Sequence, residues 1–167
     1  NGVVSRFTKQ VLNAVRAFPE LILAFVFLPI TGLGPLTGTL AVGVHSIGTL
    51  GKLSSEVIEG IDEGPLEAIK ASGGSKLNEL TFGVIPQVIP TITSYWLYRF
   101  EINLRASAVL GVVGAGGVGA ELINQLRFRD FPRAGTVLVT TIILVLTVDT
   151  ISAAIRKRII QGKVNKN

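Results

Sequence analysis

The chain has 167 residues, of which 48% are hydrophobic and only 16% charged, against about 25% charged in a water-soluble domain. Its mean hydropathy is +0.55. So much Leu, Ile and Val excludes a disordered chain, and the absence of cysteine excludes a disulfide-stapled module. The net charge of +5 allows an anionic partner until the cations are placed along the chain. Met is absent and the sequence begins at Asn1, which leads us to expect that an N-terminal portion is missing.

Residues 5–18 read as an interfacial lead-in: Phe7, Val11, Val15 and Phe18 recur near helical spacing among Arg6, Lys9, Gln10 and Asn13. Packing against protein is an equal reading. Leu21 to Gly51 then runs 31 residues without Asp, Glu, Lys or Arg. That exceeds the roughly 20 apolar residues of one membrane helix, and the cluster from Leu28 to Pro35 breaks it. The spacing predicts spans over about 19–31 and 35–57. Further uncharged runs, Leu80–Tyr98 and Ala134–Val148, predict spans over about 82–104 and 133–155. The fold class is an all-α membrane protein with about four transmembrane helices, a loop over 58–81 and an outer Gly-rich segment over 105–132.

Four spans put both termini and the 58–81 loop on one side. That side holds Arg6, Lys9, Arg16, Lys52, Lys70, Lys76, Arg156, Lys157, Arg158, Lys163 and Lys166. The other holds Arg105, Arg127, Arg129 and Arg133, with Arg99 ambiguous. The asymmetry marks the first side, including the C-terminus, as cytoplasmic. The basic excess is then a topology signal rather than a nucleic-acid stripe.

The loop has its own grammar. Pro65 suits a first helical position, Glu67 meets the positive end of that helix, and Lys70 sits in its last turn. Gly73-Gly74 stop it, and Ser75 caps a second short helix. Two short helices meeting at an elbow form a shape for docking into a partner.

Glu67-Ala68-Ile69, then Gly73 after three residues, then Gly83-Val84-Ile85-Pro86 after nine more, resembles the EAA loop of type I ABC importer permeases. That family's pattern is Glu-Ala-Ala, three residues, Gly, nine residues, Ile, any residue, Leu, Pro. Glu67, Ala68, Gly73 and Pro86 match it; Ile69, Gly83 and Ile85 depart. Arg16-Ala17-Phe18-Pro19, the run from Leu97 to Ala106 and the Gly-rich run from Val109 to Gly119 look like the phosphonate branch of the family. The last run also looks like the methionine branch.

The resemblance implies that Glu67, Ala68, Lys70, Gly73, Lys76 and Pro86 belong to a loop coupled to an ATPase. It implies a second copy of the permease, two cytoplasmic ABC ATPase subunits, an extracytoplasmic binding protein and a bacterial inner-membrane location. ATP and Mg would lie on the ATPase; no G-x-x-x-x-G-K-[ST] occurs in this chain. The chain itself is expected to bind no cofactor and no metal and to have no catalytic residue.

Two constellations remain. Gly114-Ala115-Gly116-Gly117-Val118-Gly119 satisfies the dinucleotide fingerprint, but only 48 residues follow it, too few for a Rossmann domain. An outer re-entrant turn beside the translocation pathway, or close helix packing, reads better. Arg99, Glu101 and Arg105, toward the outer end of the third span, are pathway candidates. A structural Glu101–Arg105 pair along one helix is the competing reading. Asp149 and the lone His45 read as helix–helix contacts. Phosphonate, phosphite, phosphate ester and methionine all remain as solutes. A membrane-anchored dinucleotide enzyme and a passive channel are the distant alternatives.

Overall fold

The structure, a computed structural model, describes residues 2–164. Lys166 and the side chain of Lys163 lie outside the described residues. Regular structure among them is helical throughout.

Helix α1, Gly2–Ala17, stops before Pro19, and α2, Glu20–Thr31, leaves at 89° to it. Part of the apolar stripe of α1 packs on α3, Pro35–Glu59, where glycines make room. A Cβ on Gly48 would lie 2.9 Å from Val15 Cγ1, and one on Gly51 would lie 3.0 Å from Leu12 Cδ2. Val4, Phe7, Val11 and Phe18 stay exposed.

Pro29 does not end α2; the turn falls at Gly32, which has φ +73. The two helices fold back on each other. Thr31 and Thr37 share a 2.6 Å hydrogen bond beside the turn, while Glu20 meets His45 at the far end.

After α3 the chain forms α4, Gly64–Ala71, then a single turn α5, Lys76–Asn78, then a π-helical segment Glu79–Val84. Helix α6 spans Ile85–Leu110, with Pro86 in its first turn, so it continues six residues past the expected end of the third span. A 3₁₀ turn at Gly111–Val113 and left-handed glycines at 114, 116 and 117 separate it from α7, Gly117–Arg127. Helix α8, Phe131–Val164, closes the described chain. A small buried core of Ala24, Ala41, Leu110 and Val113 lies where α2, α3 and the end of α6 meet.

Among the described residues only the stretch Phe131–Ile159 within α8 is long and apolar enough by itself to cross a membrane. Helix α2 has 12 residues, about 18 Å at 1.5 Å per residue. Helix α3 is diluted by Gly, Ser and Thr, and α6 carries Arg99, Glu101 and Arg105. Their hydropathy is lowered by groups that face other helices.

Candidate functional site

The 58–81 loop forms as its residues dictate. Gly64 N donates to Asp62 Oδ1 at 3.0 Å, Pro65 occupies the first turn of α4 with Glu67, and Lys70 lies in the last. Gly73 takes φ +78, a left-handed conformation that a side chain strains, and Gly74 N returns to Ile69 O at 2.9 Å. Ser75 Oγ accepts from Asn78 N at 3.4 Å. Gln87 ties the loop's entrance to α6: its Oε1 accepts from Asp62 N at 2.9 Å, and its Nε2 donates to Asp62 O and Gly83 O. Glu67, Ala68, Lys70 and Lys76 are exposed, with Lys70 3.6 Å from Glu79.

Two departures from the permease pattern meet here. Gly83 is buried, and a Cβ on it would lie 3.0 Å from Leu66 Cδ1 and 3.5 Å from Ile69 Cδ1. The large Ile69 and the small Gly83 exchange the volumes that the pattern's Ala and Ile would have.

Helix α6 is gripped on two faces. On one, Arg99, 4% exposed, donates from Nη2 to Glu20 Oε1 at 3.0 Å and to His45 Nδ1, and from Nε to Ser46 Oγ at 3.0 Å. His45 Nε2 lies 3.1 Å from Arg16 O. Its Nδ1 also lies 2.9 Å from Glu20 Oε1, so the ring sits between the guanidinium of Arg99 and the carboxylate of Glu20. One turn further on, Asn103 Nδ2 donates to Ser46 Oγ at 3.1 Å. This cluster joins four helices, since a buried guanidinium must be paired and hydrogen-bonded. His45 is thus a helix–helix contact, as its isolation in the sequence indicated. Glu20, Ser46 and Asn103 were not singled out from the sequence; the one available signal was Glu20 standing as the last charge before the 31-residue uncharged run.

On the other face, the expected Glu101–Arg105 pair does not form. Arg156 Nη2 lies 2.9 Å from Glu101 Oε1, at ion-pair distance but not aligned as a hydrogen bond, and its guanidinium stands 5.8 Å from the Tyr98 ring. Arg105 Nη2 donates to Asp149 Oδ2 at 2.6 Å. Each charge finds an opposite one on α8, where the packing of two helices brings it closer than its own helix does. Asp149 is therefore a helix–helix contact.

These pairs also set the register of α6 against α8, with Glu101 level with Arg156 and Arg105 level with Asp149. Further along, α7 residues Gly117 and Glu121 share a cleft with Thr136 and Thr140 of α8. The α6–break–α7 unit therefore runs antiparallel to one long α8. The glycine break sits opposite Leu138 and Thr141, seven to ten residues inside α8, rather than beyond its end. Residues 105–110 and 117–127 of the expected outer segment are helical.

At the break, backbone approaches backbone. A Cβ on Gly119 would lie 1.8 Å from Ala108 O, and one on Gly38 would lie 2.6 Å from Ala115 Cβ. Gly114 abuts Leu33 and Gly116 abuts Pro35, so the α2–α3 turn lies against the break. Val109–Val113, strand-like in sequence, is helical, so the strand–turn–helix setting of a dinucleotide site is absent at these residues. A 390 Å³ cleft opens beside the break, lined by Thr39, Ser46, Asn103 and Ser107 among apolar neighbours.

An all-helical chain with a projecting loop of this pattern defines a membrane transport component, and residues 1–163 match the family described as "binding-protein-dependent transport system inner membrane component". The chain belongs to that family, whose members are transport subunits rather than enzymes. It is 43% identical over 149 residues to the phosphite transport system permease protein PtxC of Stutzerimonas stutzeri, covering 89% of this chain and 54% of that one. It is 45% identical over 121 residues to the putative cryptic phosphonate transport system permease protein PhnE2 of Escherichia coli, covering 72% of this chain and 99% of that one. A probable D-methionine transport system permease protein, MetI of Haemophilus influenzae, is 28% identical over 83% of this chain and 67% of its own length. The chain thus spans about half the length of the phosphite relative. Among solved structures, an inward-facing MetNI methionine ABC transporter superposes with a TM-score of 0.78 at 23% identity, covering 95% of this chain and 77% of that one, which establishes the fold.

Proposed function

We propose that this chain is part of the permease subunit of an ATP-driven importer that carries phosphite, phosphonate or a related phosphorus oxyanion. The observation that carries the reading is the α4 elbow: a short helix with Glu67 in its first turn, exposed, stopped at Gly73, and held to α6 by the Asp62–Gln87 clamp. A rigid, projecting helix tied to a long helix transmits a push. In this reading a cytoplasmic ATPase docks at Glu67, Ala68, Lys70, Gly73 and Lys76, with Pro86 starting the helix that moves. ATP-driven closure rocks the helices between inward and outward access. The solute arrives from an extracytoplasmic binding protein, a second copy of the permease completes the path, and the C-terminus is cytoplasmic. Of the four spans, α8 crosses alone, and the crossing antiparallel to it is made by the end of α6, the glycine break and α7. Broken helices of this kind are tolerated at membrane depth where they are buried or line a cavity. The glycines Gly114, Gly116, Gly117 and Gly119 then form the gate, and the bonded Arg99, Glu101 and Arg105 hold its helices.

The solute assignment follows the identities: relatives named for phosphite or phosphonate lie at 37–45%, and those named for D-methionine at 26–30%. The test is uptake of radiolabelled phosphite, methylphosphonate and methionine by the full-length transporter, with and without an ATPase-inactive partner. Phosphorus oxyanion uptake that stops with the inactive ATPase is expected. Methionine uptake alone, or uptake that persists, overturns the reading.

A further inference from the structure

We propose that the cleft between α3, α6 and the glycine break is an oxyanion waypoint, in which Thr39, Asn103 and Ser107 present neutral hydrogen-bond donors to a tetrahedral phosphorus oxyanion, above Ser46, whose hydroxyl donates to Val42 O and accepts from Arg99 and Asn103. The inference rests on the functional reading above and names where in this chain the solute is held.

The cleft has the right size and gradient. Its 390 Å³ exceeds what a phosphite or methylphosphonate needs, leaving room for waters. Its polar groups form two ladders at helical spacing, Thr39 and Ser46 on α3 and Asn103 and Ser107 on α6, which face each other across walls of Gly38, Gly43 and Ala115. Thr39 and Ser107 are exposed at the lip, whereas Ser46 and Asn103 are half-buried at the base.

The electrostatics favour an anion held loosely. The base rests on Arg99, whose Nε donates to Ser46 Oγ and whose charge is shared with Glu20. Pro35, in the first turn of α3, lines one end of the cleft. At the lip, Thr39 Oγ1 donates to Pro35 O at 2.8 Å and Ser107 Oγ to Leu104 O at 2.7 Å. Both are bonds within a helix, and the hydroxyls can turn from them to an entering acceptor. Asn103 Nδ2 uses one hydrogen on Ser46 and keeps a second for the cleft. A site of neutral donors over a compensated arginine attracts an oxyanion without trapping it, as a transport intermediate requires.

The experiment places a carboxylate in the cleft of the full-length transporter. Asn103→Asp is nearly isosteric and Ser107→Asp lies at the exposed lip. Each should lower uptake of phosphite and methylphosphonate about ten- to hundredfold, the effect of replacing a charge-assisted hydrogen bond by like-charge repulsion. The amount of assembled complex in the membrane should stay unchanged for Ser107→Asp. The double variant Thr39→Ala with Ser107→Ala, which removes donors without adding charge, should lower uptake by a smaller factor. Uptake at the unsubstituted rate in Ser107→Asp, or loss of uptake matched by loss of assembled complex in both acidic variants, overturns the waypoint. Absence of phosphorus oxyanion uptake in the unsubstituted transporter overturns the functional reading instead, so the two failures are separable.

Discussion

Restoring the permease pattern's Ile at position 83 is expected to harm this protein, and replacing Ile69 by Ala in the same chain to recover most of the loss. A Cβ at Gly83 already lies 3.0 Å from Leu66 Cδ1 and 3.2 Å from its Cγ. The remaining three carbons of isoleucine must displace Leu66 and Ile69, which brace α4 on the π-helical segment. Overpacking of this kind costs about 1–3 kcal/mol. Ile69→Ala alone removes a half-buried side chain. It should cost about 1–2 kcal/mol, below the range for fully buried sites. The double variant exchanges the two volumes and should lie within about 1.5 kcal/mol of the unsubstituted protein, giving a favourable coupling of at least about 0.5 kcal/mol. Thermal inactivation in detergent, followed as the fraction remaining monodisperse after heating, measures the stability side. ATP-dependent uptake measures whether α4 plays the coupling part proposed for it. Losses that simply add in the double variant would refute the volume exchange.

Other outcomes follow from the contacts around α6 and the break. Glu20→Ala leaves Arg99 buried with its charge partner gone, and about 3–5 kcal/mol of stability should be lost; Glu20→Leu with Arg99→Met should be milder than Glu20→Ala, as thermal inactivation of both will show. Arg105→Ala leaves the carboxylate of Asp149 without its charge partner on the membrane-crossing helix, where Oδ1 is already buried without a hydrogen bond, so it should cost more than about 1 kcal/mol of thermal stability. Gly119→Ala should abolish accumulation of folded protein, because its Cβ would lie 1.8 Å from Ala108 O, a backbone atom. Gly135→Ala, with nothing within 4 Å, should be neutral or stabilising by up to about 1 kcal/mol; equal expression of the two would contradict the close approach at the break.

Much of the architecture was legible because its causes are local. Uncharged runs mark helices that avoid charge wherever they face apolar surroundings. Proline, a first-turn carboxylate and a Gly-Gly stop dictate α4 and its elbow through backbone geometry alone, and they formed as the spacing required. His45 and Asp149 were readable as helix contacts, because a lone polar group among apolar residues needs a bonding partner. Which partner is a different matter. Glu101 and Arg105 stand four apart and suit a pair on one helix, but packing offers Glu101 the guanidinium of Arg156 and Arg105 the carboxylate of Asp149, both more than 40 residues away in sequence. Glu20 reaches Arg99 across 79 residues.

Sequence by itself determined the helical class, the uneven distribution of the cations along the chain, the pattern of the 58–81 loop and the position of the glycine break, since each depends on composition or on neighbours within one or two turns. Only the tertiary structure decided that the break lies inside the length of α8, that Arg99 is clasped by Glu20, His45 and Ser46, and that Ile69 fills the space Gly83 leaves. Those facts depend on the register between helices, which is set by the packing of small residues such as Gly38 on Ala115 and Gly48 on Val15, and no spacing along a single strand of sequence encodes the register of one helix against another.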